Sequence, residues 1–154
     1  MESDPEHLML SRALRDDLFD TCMIHYGVFN QSAERAVYPL AQAHNVGVFV
    51  MGPVRTSLRS KEEAAHHIRM FQQEGWLAGS PPDPDDPLGL GGELSITQAA
   101  YQFAAAHPSV STVLCGTGNI AHLRRNAVDI VGDELSAAQV AQLRARFGGL
   151  TWKS

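Results

Sequence analysis

Residues 110–126, VSTVLCGTGNIAHLRRN, decide how the rest of the chain is read. Val110, Thr112, Val113 and Leu114 make a short β-branched and apolar run, the pattern of a buried parallel strand, expected over 110–115. Gly116 and Gly118 permit positive φ or a close backbone approach. Asn119 carries the side chain of a helix N-cap, and helical spacing follows from Ile120 to Val131. A strand that turns through Gly-Thr-Gly-Asn into a helix leaves unpaired N–H groups and the positive dipole end facing outward, which suits a phosphate. An ordinary βα turn uses similar residues, so both readings stand at this point.

Outward from this stretch, strands alternate with helices. Residues 19–25, FDTCMIH, read as a strand with Cys22, Met23 and Ile24 as its apolar centre. Residues 46–51 are apolar without alternation, which predicts a strand covered on both faces, stopped by Gly52-Pro53. A first helix is expected over 7–15, opened by Ser3-Asp4-Pro5-Glu6. A second runs from a Ser32 cap to about His44 and ends at Asn45, with Gly47 just after. The spacing of Ala64, Ile68 and Phe71 predicts a helix over 61–74, closed by Gly75. Ser95-Ile96-Thr97-Gln98 start another, compact over 99–106 with Tyr101 and Phe103 as its bulky members, and Ser136 starts the last, over 137–147, with a Val140, Leu143, Phe147 stripe. Residues 79–92, GSPPDPDDPLGLGG, hold four of the eight prolines and read as a connecting loop. Three strands separated by helices imply βαβ units and a parallel sheet.

At 154 residues the chain is one domain or part of one, and 44% hydrophobic with 19% charged residues suits a globular core. A net charge of −5 supplies no basic field, so neither nucleic acid nor an acidic membrane is expected as a partner. Cys22 and Cys115, both inside expected strands, read as buried thiols of a reducing compartment. No stretch is long and apolar enough to span a bilayer, and the acidic start MESDPEHLML lacks a signal-peptide pattern, so a cytoplasmic location is expected.

In order along the chain, several runs resemble the C-terminal part of an aldo-keto reductase. Residues 19–26, FDTCMIHY, followed by Ser32-Ala33-Glu34-Arg35, are similar to that family's sixth strand and helix. Residues 46–54, VGVFVMGPV, are similar to its seventh strand, and 94–103, LSITQAAYQF, to its seventh helix. Residues 110–126 resemble its eighth strand, phosphate loop and helix, closing with Leu-x-x-Asn at Leu123 and Asn126. The run 54–58, VRTSL, resembles the aldose and galactose dehydrogenase branch. The resemblance implies an α/β fold, a partial TIM (β/α)8 barrel: the sixth to eighth βα units plus the C-terminal helix over 1–154, with parallel strands and helices on one face. A small open nucleotide-binding domain, the competing reading, predicts helices on both faces.

The resemblance also implies a nicotinamide dinucleotide, NADP or NAD, as cofactor and a small carbonyl or sugar as substrate. Gly116, Thr117, Gly118 and Asn119 then face the adenosine phosphate. His122 falls where many members carry an Arg for the 2′-phosphate, Asn126 where an Asn meets the adenine, and Arg125 replaces a frequent Glu, so Arg124 or Arg125 is a candidate for the missing positive charge. At the nicotinamide end Met23 stands where a Gln binds the carboxamide and Met51 where an aromatic stacks on the ring; a thioether packs on a ring but does not replace amide hydrogen bonds. Pro53, Val54 and Arg55 stand where the pyrophosphate approaches, and the 79–92 loop would overhang the site.

The family's catalytic Asp, Tyr, Lys and His come from earlier strands, and Tyr26, Tyr38 and Tyr101 lie on other elements. Turnover by these residues alone is therefore not expected, and the alternative is a non-catalytic remnant binding a nucleotide or a partner. His66-His67 diverge on a helix, so no metal site is expected. A closed barrel takes about 250 residues and three strands do not close, so open edges on the first and third predict poor stability or self-association.

Overall fold

The computed structural model describes residues 7–91, 94–132 and 134–152. Strands β1 (Thr21–His25), β2 (Gly47–Met51) and β3 (Val110–Val113) form one parallel sheet in the order β1-β2-β3. Helix α1 (Leu8–Arg15) precedes β1, and α2 (Ala33–Ala36) and α3 (Tyr38–Ala43) fill the first crossover. Helices α4 (Lys61–Gln73) and α5 (Ile96–Ala105) fill the second, and α6 (Ile120–Val131) and α7 (Ala137–Phe147) follow β3.

Only one face of the sheet is buried. Cys22 and Ile24 on β1 and Val48 and Val50 on β2 point into the helical layer, while Met23 is 54% exposed and Phe49 and Met51 are half-exposed. This corrects the expectation that 46–51 is covered on both faces, and it excludes the open domain with two helical layers. β3 also departs from the expected buried strand: it lies at the sheet edge with Ser111 and Thr112 exposed, and it stops at Val113, which leaves Cys115 outside it and half-buried. The register explains the irregularity. Val48 pairs with Val110 but Phe49 with Thr112, so Ser111 bulges, and its hydroxyl accepts from the Val48 N–H at 3.1 Å. Cys22 is a buried free thiol whose pKa is raised by burial.

The core lies between the buried sheet face and the helices. Phe71, Phe103 and Phe147, each fully buried, anchor α4, α5 and α7, and burying such a side chain contributes about 1.5–3 kcal/mol. Caps set most helix starts. Ser60, Ser95 and Ser136 accept from the N–H three residues on, and Ser136 with Gln139 completes a capping box. Ser32 caps nothing: its hydroxyl donates to Asn30 Oδ1 at 2.8 Å and meets His7 Nε2, also at 2.8 Å. The expected helix from there to His44 is split at Val37, because Pro39 has no N–H for the Arg35 carbonyl and its ring crowds that turn. Asn45, at φ 54°, ends the second piece, with Val46 N–H reaching Ala41 and Asn45 N–H reaching Gln42. The proposed start signal at residues 3–6 lies outside the described residues.

Helix α7 is tied to the opposite end of the chain. Arg144 Nε donates to Glu34 Oε1 at 2.8 Å, the Tyr26 hydroxyl donates to the same oxygen, and Gln31 Nε2 reaches the Leu143 carbonyl at 3.2 Å. The described part of the 79–92 loop is held on α7 too: Gln139 donates to the Leu90 carbonyl at 3.2 Å and Arg146 to that of Pro87 at 3.1 Å. Leu88 is fully buried beneath it.

Candidate functional site

Parallel pairing brings the C-terminal ends of all three strands to one side of the sheet. From β2 the chain passes Gly52, at φ 65°, then Pro53, Val54 and Arg55 before a 3₁₀ turn, Thr56–Leu58, and α4. Gly52 is required there: a Cβ would come within 2.9 Å of Arg55 Cδ and 3.2 Å of His25 Cε1. Arg55 itself sits at φ 35°, ψ −157°, a conformation that favours glycine, and its Nη1 donates to His25 Nε2 at 3.3 Å. From β3 the chain passes the glycine turn into α6.

Between these two exits lies a cleft of about 850 Å³. Of the residues singled out from sequence, Met51, Pro53, Val54 and Arg55 form one wall, and Gly116, Thr117, His122, Arg125 and Asn126 form the other. Met23, Gly118 and Asn119 are not in the lining. Met23 is on β1, paired in register with Phe49, one strand away from the cleft wall. The described part of the 79–92 loop does not line the cleft either, since its contacts hold it against α7; this corrects the expected overhang for residues 79–91.

The glycine turn is built differently from its sequence reading. Neither Gly116 nor Gly118 adopts positive φ, and an added Cβ on either meets nothing within 4 Å. The N–H groups are also less open than expected. Asn119 Oδ1 accepts from Ala121 N–H at 2.8 Å and His122 N–H at 3.3 Å, and Thr117 Oγ1 accepts from Asn119 N–H at 3.2 Å. What the turn offers an anion is therefore the dipole end of a twelve-residue helix, unobstructed glycine backbone, and nearby cations. Asn126 is anchored by its amide: Nδ2 donates to the Tyr101 hydroxyl at 3.2 Å and to Cys115 Sγ at 3.4 Å.

The cleft is cationic although the chain is acidic. Arg55, Arg59, Lys61 and Arg125 line it, with His122, and the described lining contains no Asp or Glu. Arg59 and Lys61 were missed in the sequence reading, where their signal was mixed. Arg59 and Lys61 stand just before and at the first position of α4, where cations oppose the dipole, although Glu62 and Glu63 in the same turn favour it. Thr97, read as part of a helix start, and Tyr101, read as a bulky member of that helix, both also reach the cleft.

None of the three tyrosines has a phenol made more acidic. Burial is the first cause raising Tyr26, followed by Glu34; burial raises Tyr38; and burial followed by Cys115 raises Tyr101. Among the described residues no group of three His, Cys, Asp or Glu side chains is arranged to hold a metal ion, and no helix is long and apolar enough to cross a membrane.

Comparison with known proteins connects this geometry to a family. The Aldo/keto reductase family model matches residues 10–146. The uncharacterized oxidoreductase YqkF of Bacillus subtilis is 24% identical over 127 residues, which cover 80% of this chain and 41% of that protein. The holo form of an aldo-keto reductase from Bacillus halodurans superposes with a TM-score of 0.62 at 20% identity, over 89% of this chain and 46% of that one. An aldo/keto reductase from Klebsiella pneumoniae, in complex with NADP and acetate, gives 0.59 at 19% identity, over 90% and 44%. At such identities the structural likeness shows the fold, a partial TIM barrel, and this chain spans less than half the length of the relatives it matches. With the family model matching most of its residues, the chain belongs to the aldo/keto reductase family.

Proposed function

We propose that this chain is the cofactor-binding portion of an NAD(P)-linked carbonyl or alcohol oxidoreductase, with residues 1–154 forming the sixth to eighth units of the barrel and its C-terminal helix. One observation carries the reading: the cleft between the β2 and β3 exits joins a glycine turn at a helix N-terminus to four Arg and Lys side chains without a carboxylate. Such a lining suits the pyrophosphate of a dinucleotide. It favours NADP over NAD, because a site for the unphosphorylated ribose uses an acidic residue and an added 2′-phosphate needs cations. Gly116, Thr117, Gly118, Asn119, His122, Arg125 and Asn126 serve the adenosine end, Pro53, Val54 and Arg55 the pyrophosphate, and Met51 and Met23 the nicotinamide side.

Binding is separable from turnover. Tyr26 and Tyr38 are buried in the core, with the Tyr26 hydroxyl spent on Glu34, and the Tyr101 hydroxyl accepts from Asn126, so this chain is assigned the dinucleotide and the proton donor is assigned to other parts of a whole barrel. Self-association is part of the same reading, since Leu18, Phe19 and Met23 are 70%, 58% and 54% exposed beside the open edge of β1.

The test is a titration of the chain with NADPH and NADH followed by nicotinamide fluorescence. NADPH binds tighter than NADH, and Arg125→Ala and Lys61→Ala each weaken NADPH binding about tenfold, the worth of one charge-assisted hydrogen bond. Equal affinity for the two cofactors, unmoved by either substitution, refutes the assignment.

A further inference from the structure

A second, smaller cavity of about 30 Å³ lies at the ends of β1 and β2, beside the cleft. It has room for one water or one halide-sized ion. His25, Tyr26, Asn30, Arg55, Ser57 and Trp152 supply its polar side chains, the Tyr26 hydroxyl being spent on Glu34, and no carboxylate lines it. Two of these bring buried donors that have no acceptor: Asn30 Nδ2 and Trp152 Nε1. Asn30 is 6% exposed, and its Oδ1 is engaged by the Ser32 hydroxyl, so the amide is fixed with its nitrogen unspent. A buried N–H without an acceptor is costly, and two at one cavity point to a missing acceptor.

Charge decides what that acceptor is. The Arg55 guanidinium, a permanent cation, lines the cavity and donates to His25 Nε2 at 3.3 Å. It does so from φ 35°, where a glycine would rest without strain, and such backbone persists where its surroundings over-determine it. Two buried amide-type donors and a guanidinium ask for a partner that only accepts. We propose that this cavity is a binding site for a small monovalent anion of halide size, held by Asn30 Nδ2, Trp152 Nε1 and the charge of Arg55. The site is distinct from the dinucleotide cleft, although Gly52, Pro53 and Arg55 border both. A bound anion therefore fixes Arg55 at the cleft wall.

Trp152 reports on the site. The chain has two tryptophans, Trp76 and Trp152, and Trp76 is 55% exposed, so Trp76→Phe leaves Trp152 as the single indole emitter. The full chain carrying this change is titrated with sodium chloride, bromide and iodide against sodium gluconate at fixed ionic strength, following indole emission and the thermal midpoint. The proposal predicts a saturable change in emission with each halide and a midpoint that climbs with the logarithm of chloride concentration above half-saturation but not with gluconate. Arg55→Gly, which suits the local backbone, raises the half-saturating halide concentration at least tenfold, and Arg55→Lys raises it less. A response identical in chloride and gluconate overturns the proposal and leaves water in the cavity. So does a linear, collisional quench by iodide that Arg55→Gly does not alter. Both readouts are independent of NADPH, so they stand whether or not the cleft takes a dinucleotide.

Discussion

Replacing Asp129 by Ala should loosen the glycine turn from a position outside the cleft lining. Helix α6 carries this turn, yet Ile120, Leu123, Val128 and Val131 on it are 70%, 49%, 67% and 82% exposed, and Asp129 is its buried residue. Its carboxylate accepts from Thr97 Oγ1 at 2.7 Å and from Ser95 Oγ at 3.3 Å, and its carbonyl accepts from Gln102 Nε2 at 3.1 Å. The backbone contact survives the substitution. A hydrogen bond to a charged acceptor contributes about 1.5–3 kcal/mol, and the 3.3 Å bond is long enough to count for little. The freed Thr97 and Ser95 hydroxyls line the cleft and regain water, which keeps the loss near the lower end. A cost of about 2 kcal/mol corresponds to roughly a 30-fold rise in opening of α6. Native-state hydrogen exchange reads it directly: α6 amides lose about 30-fold in protection in Asp129→Ala, while amides of α7 keep theirs. Unchanged α6 exchange, or an equal loss in α7, refutes the idea that Asp129 pins this one helix.

Three other outcomes follow from the same structure. Ser136→Ala removes the capping box of α7 and lowers stability by about 1 kcal/mol, read from the urea midpoint at unchanged slope. Phe103→Ala opens a cavity where α5 meets Tyr26, whose ring is stacked at 5.6 Å, and costs about 3–5 kcal/mol; a loss below 1 kcal/mol contradicts the packing. His107 has its pKa lowered by burial, against the Tyr38 ring at 4.1 Å and with Nδ1 accepting from Ser109 N–H at 3.2 Å. Its unfolded form binds the proton first, so stability is full above the ordinary histidine range near 6.5 and falls as pH drops through that value toward the lower folded pKa. Glu34 and Arg144 also act on this ring, in opposite directions. His107→Gln should flatten the urea-midpoint profile between pH 7 and 5, and an unchanged slope assigns that slope to another group.

The legible parts of the fold were those where one local rule acted alone. Ser136 and the Val140, Leu143, Phe147 stripe mark α7, because nothing competes with the cap at its start or with the buried face. Asn119 marks the start of α6 because its side chain caps the first turn. Illegible parts were set by competition or by distance. Pro39 overrode a helical pattern through 32–44, and Ser32 was drawn away from capping by His7 and Asn30. The unalternating run 46–51 predicted two covered faces, but burial depends on what packs on the second face, and no sequence window contains that. In the site, the place of the glycine turn was readable because its residues are contiguous, but its φ angles and the capture of its N–H groups by Thr117 and Asn119 were not. Arg59 and Lys61 reach the cleft only through the path from β2 to α4, and the Asn30–Trp152 cavity joins residues far apart in the chain.

The central claim, that the cleft between the β2 and β3 exits binds a nicotinamide dinucleotide, is tested most directly by mapping NADP onto the backbone amides of this chain by NMR. The account predicts shifts that saturate together and concentrate at residues 51–61 and 114–126, with the amides of α7 unmoved. Shifts absent at millimolar NADP, or concentrated around Trp76 and Trp152 instead, contradict it.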